Sequence, residues 1–200
     1  MHFLIRLALH DLPSDARILC VGVGTGAEMI ALAQHNPHWT FTGVDPSADM
    51  LEVCHERLQL AGIGERCTLQ QGYVHDVPAS PVYDAALSVL VGHFVSREDR
   101  CTFYGGMCQR LKQGGHFINT EISCDLDSPE FGGMLACWEQ VQALMGATPQ
   151  AIAAIPLVLR EKLCVLPPFE VEEAMRVACV QLPTRFFQAF MITGWHGRRL

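Results

Sequence analysis

The chain has 200 residues, half of them apolar, which is enough to bury one sizeable core and too apolar for a disordered segment. Its 14 basic and 21 acidic residues leave a formal net charge of −7. No Lys/Arg run is present, so the balance is poorly matched to a phosphate backbone and points to a small-molecule partner. The nine cysteines include no C-x-x-C pair, which removes zinc ribbons and thioredoxin-like redox sites and leaves reduced, mostly buried thiols as the expectation. Met1 to His10 is apolar but interrupted by Arg6 and has no small-residue cleavage site, so it does not read as a signal peptide. No run reaches the roughly 20 apolar residues of a membrane span. A cytoplasmic location follows as an expectation.

In chain order, strand-like and helix-like runs alternate. Arg17 to Val23 reads as a first strand, followed by a turn with glycine at 22, 24 and 26 and a helix from Ala27 to His35. Trp39 to Asp45 reads as a second strand. Met50, Leu51, Cys54 and Leu58 then recur at helical spacing. Cys67 to Gln71 is a short third strand. Tyr83 to Val91 is apolar throughout, as a strand covered on both faces should be. A helix is expected over Arg97 to Leu111, stopped by Gly114-Gly115, and a fifth strand over His116 to Ile122. Such alternation implies a parallel sheet with helices on both faces.

After Ser123 the rhythm changes. Asp127 to Met145 and Gln150 to Leu163 read as apolar helices, the second expected to kink or break at Pro156. Phe169 to Ala178 is a further helix, and Val180 to Gly194 carries two strand-like runs. Residues 125–168 are therefore expected to be a helical insertion within one domain, either a cap or an extra packing layer. Met134, Trp138 and Met145 could line an apolar pocket, although a stripe at helical spacing is more often ordinary core.

A strand that feeds a glycine turn and then a helix is a usual place for a nucleotide-like cofactor. Gly22-Val23-Gly24-Thr25-Gly26-Ala27 fits a dinucleotide turn as G-x-G-x-x-A, and as G-x-G-x-G it resembles the first motif of class I S-adenosylmethionine-dependent methyltransferases. The following segments extend the second resemblance. They are Val44-Asp45-Pro46-Ser47 with Met50-Leu51, Gln71-Gly72-Tyr73-Val74-His75-Asp76, Tyr83-Asp84-Ala85-Ala86-Leu87, and Leu111-Lys112-Gln113-Gly114-Gly115. Their order and spacing match that superfamily from Arg17 to about Ile122.

This resemblance implies a Rossmann-like, doubly wound, mostly parallel seven-stranded sheet with its last strand antiparallel, and S-adenosyl-L-methionine as cofactor. It implies methyl transfer by in-line displacement to a small-molecule acceptor, with no membrane partner and a homodimer as the candidate assembly. The cofactor would meet Gly22, Val23, Gly24, Thr25, Gly26, Asp45, Pro46, Met50, Tyr73, Val74, His75 and Leu90. Asp45 would take the ribose hydroxyls, because one carboxylate can accept from two adjacent hydroxyls. His93 and Glu121, near the carboxyl ends of the fourth and fifth strands, are the candidate catalytic groups; a helix-entry or packing role for His93 and an arginine pair for Glu121 are the structural alternatives. Glu28 reads first as helix stabilisation.

Glu121, the insertion and the ending Arg185-Phe186-Phe187-Gln188-Ala189-Phe190 are also similar to the branch of carboxy-S-adenosylmethionine synthases and enzymes of tRNA wobble-uridine modification. That chemistry requires a cation for the extra carboxylate, for which Arg160, Arg185, Arg198 and Arg199 are the candidates. Three departures from the superfamily stand out, the first being the short helix-competent stretch, His2 to Asp11, before the first strand, where relatives usually carry one or more helices. Cys20 replaces the acid often found two residues before the first glycine, and Tyr73 replaces the acid after the glycine of the adenine segment. They motivate a non-catalytic cofactor-binding protein as the alternative to an enzyme.

Overall fold

The computed structural model describes residues 1–200. One seven-stranded sheet runs in the order β3-β2-β1-β4-β5-β7-β6. Its strands are β1 (Arg17–Val21), β2 (Thr40–Asp45), β3 (Cys67–Gln71), β4 (Tyr83–Val89), β5 (Leu111–Ile122), β6 (Val180–Ala189) and β7 (Ile192–Arg199). The first five are parallel to one another, and β7 is antiparallel to both β5 and β6. This is the doubly wound sheet implied by the sequence motifs.

The alternation of β1 shows how the two faces are covered. Leu19 and Val21 point to one face and pack with Tyr104, Phe117, Val171 and Trp195. Ile18 and Cys20 point to the other and pack with Met29, Leu32, Phe41 and Leu58. The first face is covered by α4 (Arg100–Arg110) and α7 (Pro168–Val177), the second by α1 (His2–Ala8), α2 (Ala27–Ala33) and α3 (Ala48–Leu60). Both faces are buried, so the central strands are apolar on each side.

Several boundaries differ from the sequence reading. The fourth strand ends at Val89, because Leu90 takes φ 61° and leaves the extended conformation. The fourth helix starts at Arg100, because Ser96 and Asp99 first close a turn through Ser96 Oγ–H to Asp99 Oδ2 at 2.8 Å and Asp99 N–H to Ser96 Oγ at 3.1 Å. The fifth strand begins at Leu111, which pairs with Tyr83 before the register shifts.

Residues 125–168 hold α5 (Phe131–Leu144) and α6 (Pro149–Glu161). Helix α6 runs through Pro156 without breaking. Phe131, Met134, Leu135, Trp138 and Ile155 pack around buried Cys124, Leu159 and Met191, beside the carboxyl end of β5 and the start of β7. No helix is long and apolar enough to cross a membrane.

Candidate active site

The strand order reverses between β1 and β4, and the loops at the carboxyl ends of β1 to β4 open into a cleft of about 1280 Å³. A crevice at such a switch point is where open α/β sheets bind ligands, and this volume exceeds that of an ordinary single-ligand pocket.

The glycine turn forms its floor. Gly22 has φ +67°, and a Cβ there would stand 2.4 Å from Val91 Cγ2, so the backbone passes against the β4 loop only because the side chain is a hydrogen. Gly24 has φ +50°, and nothing lies within 4 Å of where its Cβ would be. Asp45, bonded to this turn, ends β2 and is 8% exposed. Asp45 Oδ2 accepts the Gly24 N–H and Oδ1 accepts the Ser47 N–H, each at 2.9 Å. Each carboxylate oxygen keeps a further lone pair for a ligand hydroxyl.

Beyond β3, Tyr73 and His75 stack with ring centroids 5.5 Å apart at the cleft rim, and Val74 is buried beneath them. Tyr73 N–H donates to Asp76 Oδ2 at 2.8 Å, so Asp76 braces the turn and does not line the cleft. Arg110, the last residue of α4, lines the cleft and anchors the same turn. Its Nε donates to the Val77 carbonyl at 2.8 Å and its guanidinium to the His75 carbonyl at 3.2 Å. Nothing local in the sequence marks Arg110 for this task, because both partners lie more than thirty residues away in the chain.

The wall after β4 is apolar, made by Leu90, Val91, Phe94, Val95 and Phe103. Leu90 is held in its left-handed conformation by its N–H, which donates to the Thr120 carbonyl at 2.7 Å. A non-glycine residue strained in this way is the sort of feature that clusters at ligand sites.

The structure brings Gly22, Val23, Gly24, Thr25, Asp45, Pro46, Met50, Tyr73, Val74, His75 and Leu90 to this one cleft. Gly26 is not among the lining residues; it caps α2, and a Cβ there would stand 2.6 Å from Cys54 Sγ.

His93 and Glu121 do not line the cleft, and the expectation of catalytic groups there gives way to structural ones. His93 is 4% exposed, and its Nδ1 accepts the Ile122 N–H at 3.2 Å, so the neutral ring carries its proton on Nε2. Burial, with the Arg100 charge adding to it, pushes its pKa down to about 4. Glu121 is fully buried against Arg100, 2.5 Å from its guanidinium, and also accepts from Tyr104 Oη at 2.9 Å and Asn119 Nδ2 at 3.1 Å. Burial works against the Arg100 charge, but the Glu121 carboxylate more than offsets it, and the guanidinium pKa goes up. Arg100 also donates to the Val95 and Cys164 carbonyls, so the pair fixes the backbone behind the apolar wall.

Every lining residue falls within 1–110, so residues 125–168, including Met134, Trp138 and Met145, do not reach the cleft. The four arginines considered for a carboxylated cofactor also lie elsewhere. Arg160 pairs with Asp127, Arg185 with Glu172 and Arg198 with Asp11, while Arg199 donates to the Leu111 carbonyl.

Residues 18–115 match the family model described as "Methyltransferase domain". This is the segment whose motifs resemble the class I, S-adenosylmethionine-dependent methyltransferases. The chain is 32% identical over 121 residues to the fatty-acid O-methyltransferase of Mycolicibacterium smegmatis, an alignment spanning 60% of this chain and 42% of that protein. It is 37% identical over 105 residues to the trans-aconitate 2-methyltransferase of Pseudomonas paraeruginosa, spanning 52% of this chain and 35% of that protein. The chain thus spans less than half the length of these curated relatives. A crystal structure of a putative O-methyltransferase from Nostoc punctiforme superposes with TM-score 0.73 at 19% identity, covering 99% of this chain and 55% of that one, and shares the fold. S-adenosylmethionine is the cofactor of the methyltransferase domain, and the open space at Gly24, the remaining lone pairs of Asp45 and the cleft volume fit it.

Proposed function

We propose that the chain transfers a methyl group from S-adenosylmethionine to a carboxylate oxygen of an apolar small molecule. The observation that carries this reading is the apolar wall at Leu90, Val91, Phe94, Val95 and Phe103, which stands against the glycine turn and carries no titratable side chain. The nearest histidine in sequence, His93, has its Nδ1 occupied and its proton on Nε2, so it is not arranged to accept a proton. A carboxylate acceptor requires no base, because it is already ionised at neutral pH. A hydroxyl or amine acceptor would gain from one. The two relatives described above support the same class, since the acceptors in their names are both carboxylic acids.

In this reading the glycine turn lets ligand approach the backbone, Asp45 accepts the ribose hydroxyls, and Pro46 and Met50 flank it. Tyr73, Val74 and His75 surround the adenine. The cofactor supplies an already activated methyl carbon when bound. What the chain contributes is alignment of the acceptor oxygen and exclusion of water by the apolar wall. Arg160, Arg185, Arg198 and Arg199 do not reach the cleft, and Arg110, which does, is committed to the Val77, Gly106 and His75 carbonyls, so ordinary methyl transfer is favoured over chemistry on a carboxylated cofactor.

The test is to incubate the protein with S-adenosylmethionine and separate panels of fatty acids, aromatic acids, phenols and amines, following S-adenosylhomocysteine and product mass. The reading predicts alkali-labile methyl esters from the acids. Turnover with phenols or amines and none with acids would overturn it.

A further inference from the structure

Glu28 occupies the first turn of α2 and lines the cleft, yet it is 6% exposed and forms no ion pair. The groups facing it are Asp45, Cys20, Cys54 and Arg57. The single cation among them, Arg57, is already committed, with its guanidinium donating to the Thr25 carbonyl at 3.0 Å and hydroxyl at 2.5 Å. A carboxylate buried beside another carboxylate with no counter-ion is costly. Burial, with Asp45 adding to it, raises the Glu28 pKa to about 7. A carboxylate kept in a cleft at that cost points to a cationic ligand group.

We propose that Glu28 binds the α-amino group of S-adenosylmethionine as its ionic partner. The assignment rests on the cofactor reading of the cleft and goes beyond it in naming the anion. Three carboxylates line the cleft: Glu28, Asp45 and Asp99. Asp99 belongs to the Ser96 turn on the acceptor side. Asp45 holds the Gly24 and Ser47 N–H groups. Cys20 lies within β1 with its side chain fully buried in the core, its thiol pKa raised by that burial, and cannot offer a charge. Glu28 is left as the anion without an ion pair, its carboxyl accepting only from its own backbone N–H. Of the two cationic centres in the cofactor, only the ammonium has N–H groups to donate, so the ammonium is the one a carboxylate can hydrogen-bond.

The experiment is calorimetric titration of the wild-type chain and of Glu28→Gln with three probes: S-adenosylmethionine, S-adenosylhomocysteine and 5′-methylthioadenosine, which lacks the amino acid part. A charge-assisted hydrogen bond corresponds to roughly ten- to hundredfold in affinity. Glu28→Gln is therefore expected to weaken the first two probes by at least about tenfold and to leave the third unchanged. Wild-type affinity for S-adenosylmethionine should also fall about fivefold or more between pH 7.5 and 5.5, as Glu28 takes up a proton. That dependence should be lost in Glu28→Gln. Unchanged affinities in the variant would overturn the assignment, as would equal losses for all three probes, a loss confined to S-adenosylmethionine, or tighter wild-type binding at low pH. If none of the probes bound the wild-type chain, the cofactor reading would fall and the assignment with it.

Discussion

Asp45 Oδ2 accepts the backbone N–H of Gly24 across a 2.9 Å hydrogen bond, joining the carboxyl ends of β1 and β2 at the floor of the cleft. The bond explains why an acid at the end of one strand and a glycine turn after another work as a unit. The carboxylate steadies the turn, and the turn leaves open space at Gly24. Asp45→Ala is expected to weaken S-adenosylmethionine binding more than tenfold, which is about 1.4 kcal/mol. Unchanged affinity would contradict the ribose role.

Gly22→Ala tests the close approach of the turn to the β4 loop. The new Cβ would meet Val91 Cγ2 at 2.4 Å on a backbone at φ +67°. The left-handed conformation alone costs about 1–2 kcal/mol. A lower melting temperature together with weaker cofactor binding is expected, because Val91 must shift within the cleft wall. Full retention of both would mean that the turn and Val91 are not packed as described.

The sequence made these parts legible because each is local. A strand, a turn that needs left-handed backbone and an acid at the next strand end are short-range patterns, and their order fixes the sheet. His93 and Glu121 were harder to read for a physical reason. A polar residue at a strand end looks the same in sequence whether it faces ligand or core. Its burial here is decided by Arg100, which arrives from α4, twenty-one residues before Glu121, and also bonds Cys164. The apolar stripe of α5 was visible in the same way, but its direction was set by Cys124 and Met191. Glu28 was legible as an acid in a first helical turn, whereas its burial and lack of a partner were not.

Glu121→Gln separates the structural role from a catalytic one. It leaves the Arg100 charge buried without its counter-ion, which costs about 3–5 kcal/mol when one partner of a buried pair is removed. Denaturant unfolding should show a loss of that order. Normal stability with abolished methyl transfer would restore a catalytic role for Glu121.

Stability should also respond to pH through three buried groups. Burial lowers His93 to about 4 and, with Arg198 adding to it, His116 to about 4. Their folded pKa values lie below the ordinary 6.5, so their contribution is complete above about pH 6.5 and is lost as pH falls towards 4, by up to about 2 kcal/mol each at pH 5. Glu28 has the opposite sign. Its pKa is raised from 4.5 to about 7, so its contribution is complete below 4.5 and is lost as pH rises to 7. Without cofactor, Glu28→Gln should therefore be at least as stable as wild type at pH 8 and should lose stability more steeply on acidification. Urea midpoints from pH 8 to pH 5 measure both effects, and parallel curves for the two proteins would contradict the Glu28 assignment of charge.

The most direct measurement is calorimetric titration of the folded chain with S-adenosylmethionine and S-adenosylhomocysteine. A cleft built from the Gly22–Gly24 turn and Asp45 predicts saturable binding of both at one site per chain. No binding of either ligand to folded protein would contradict the account.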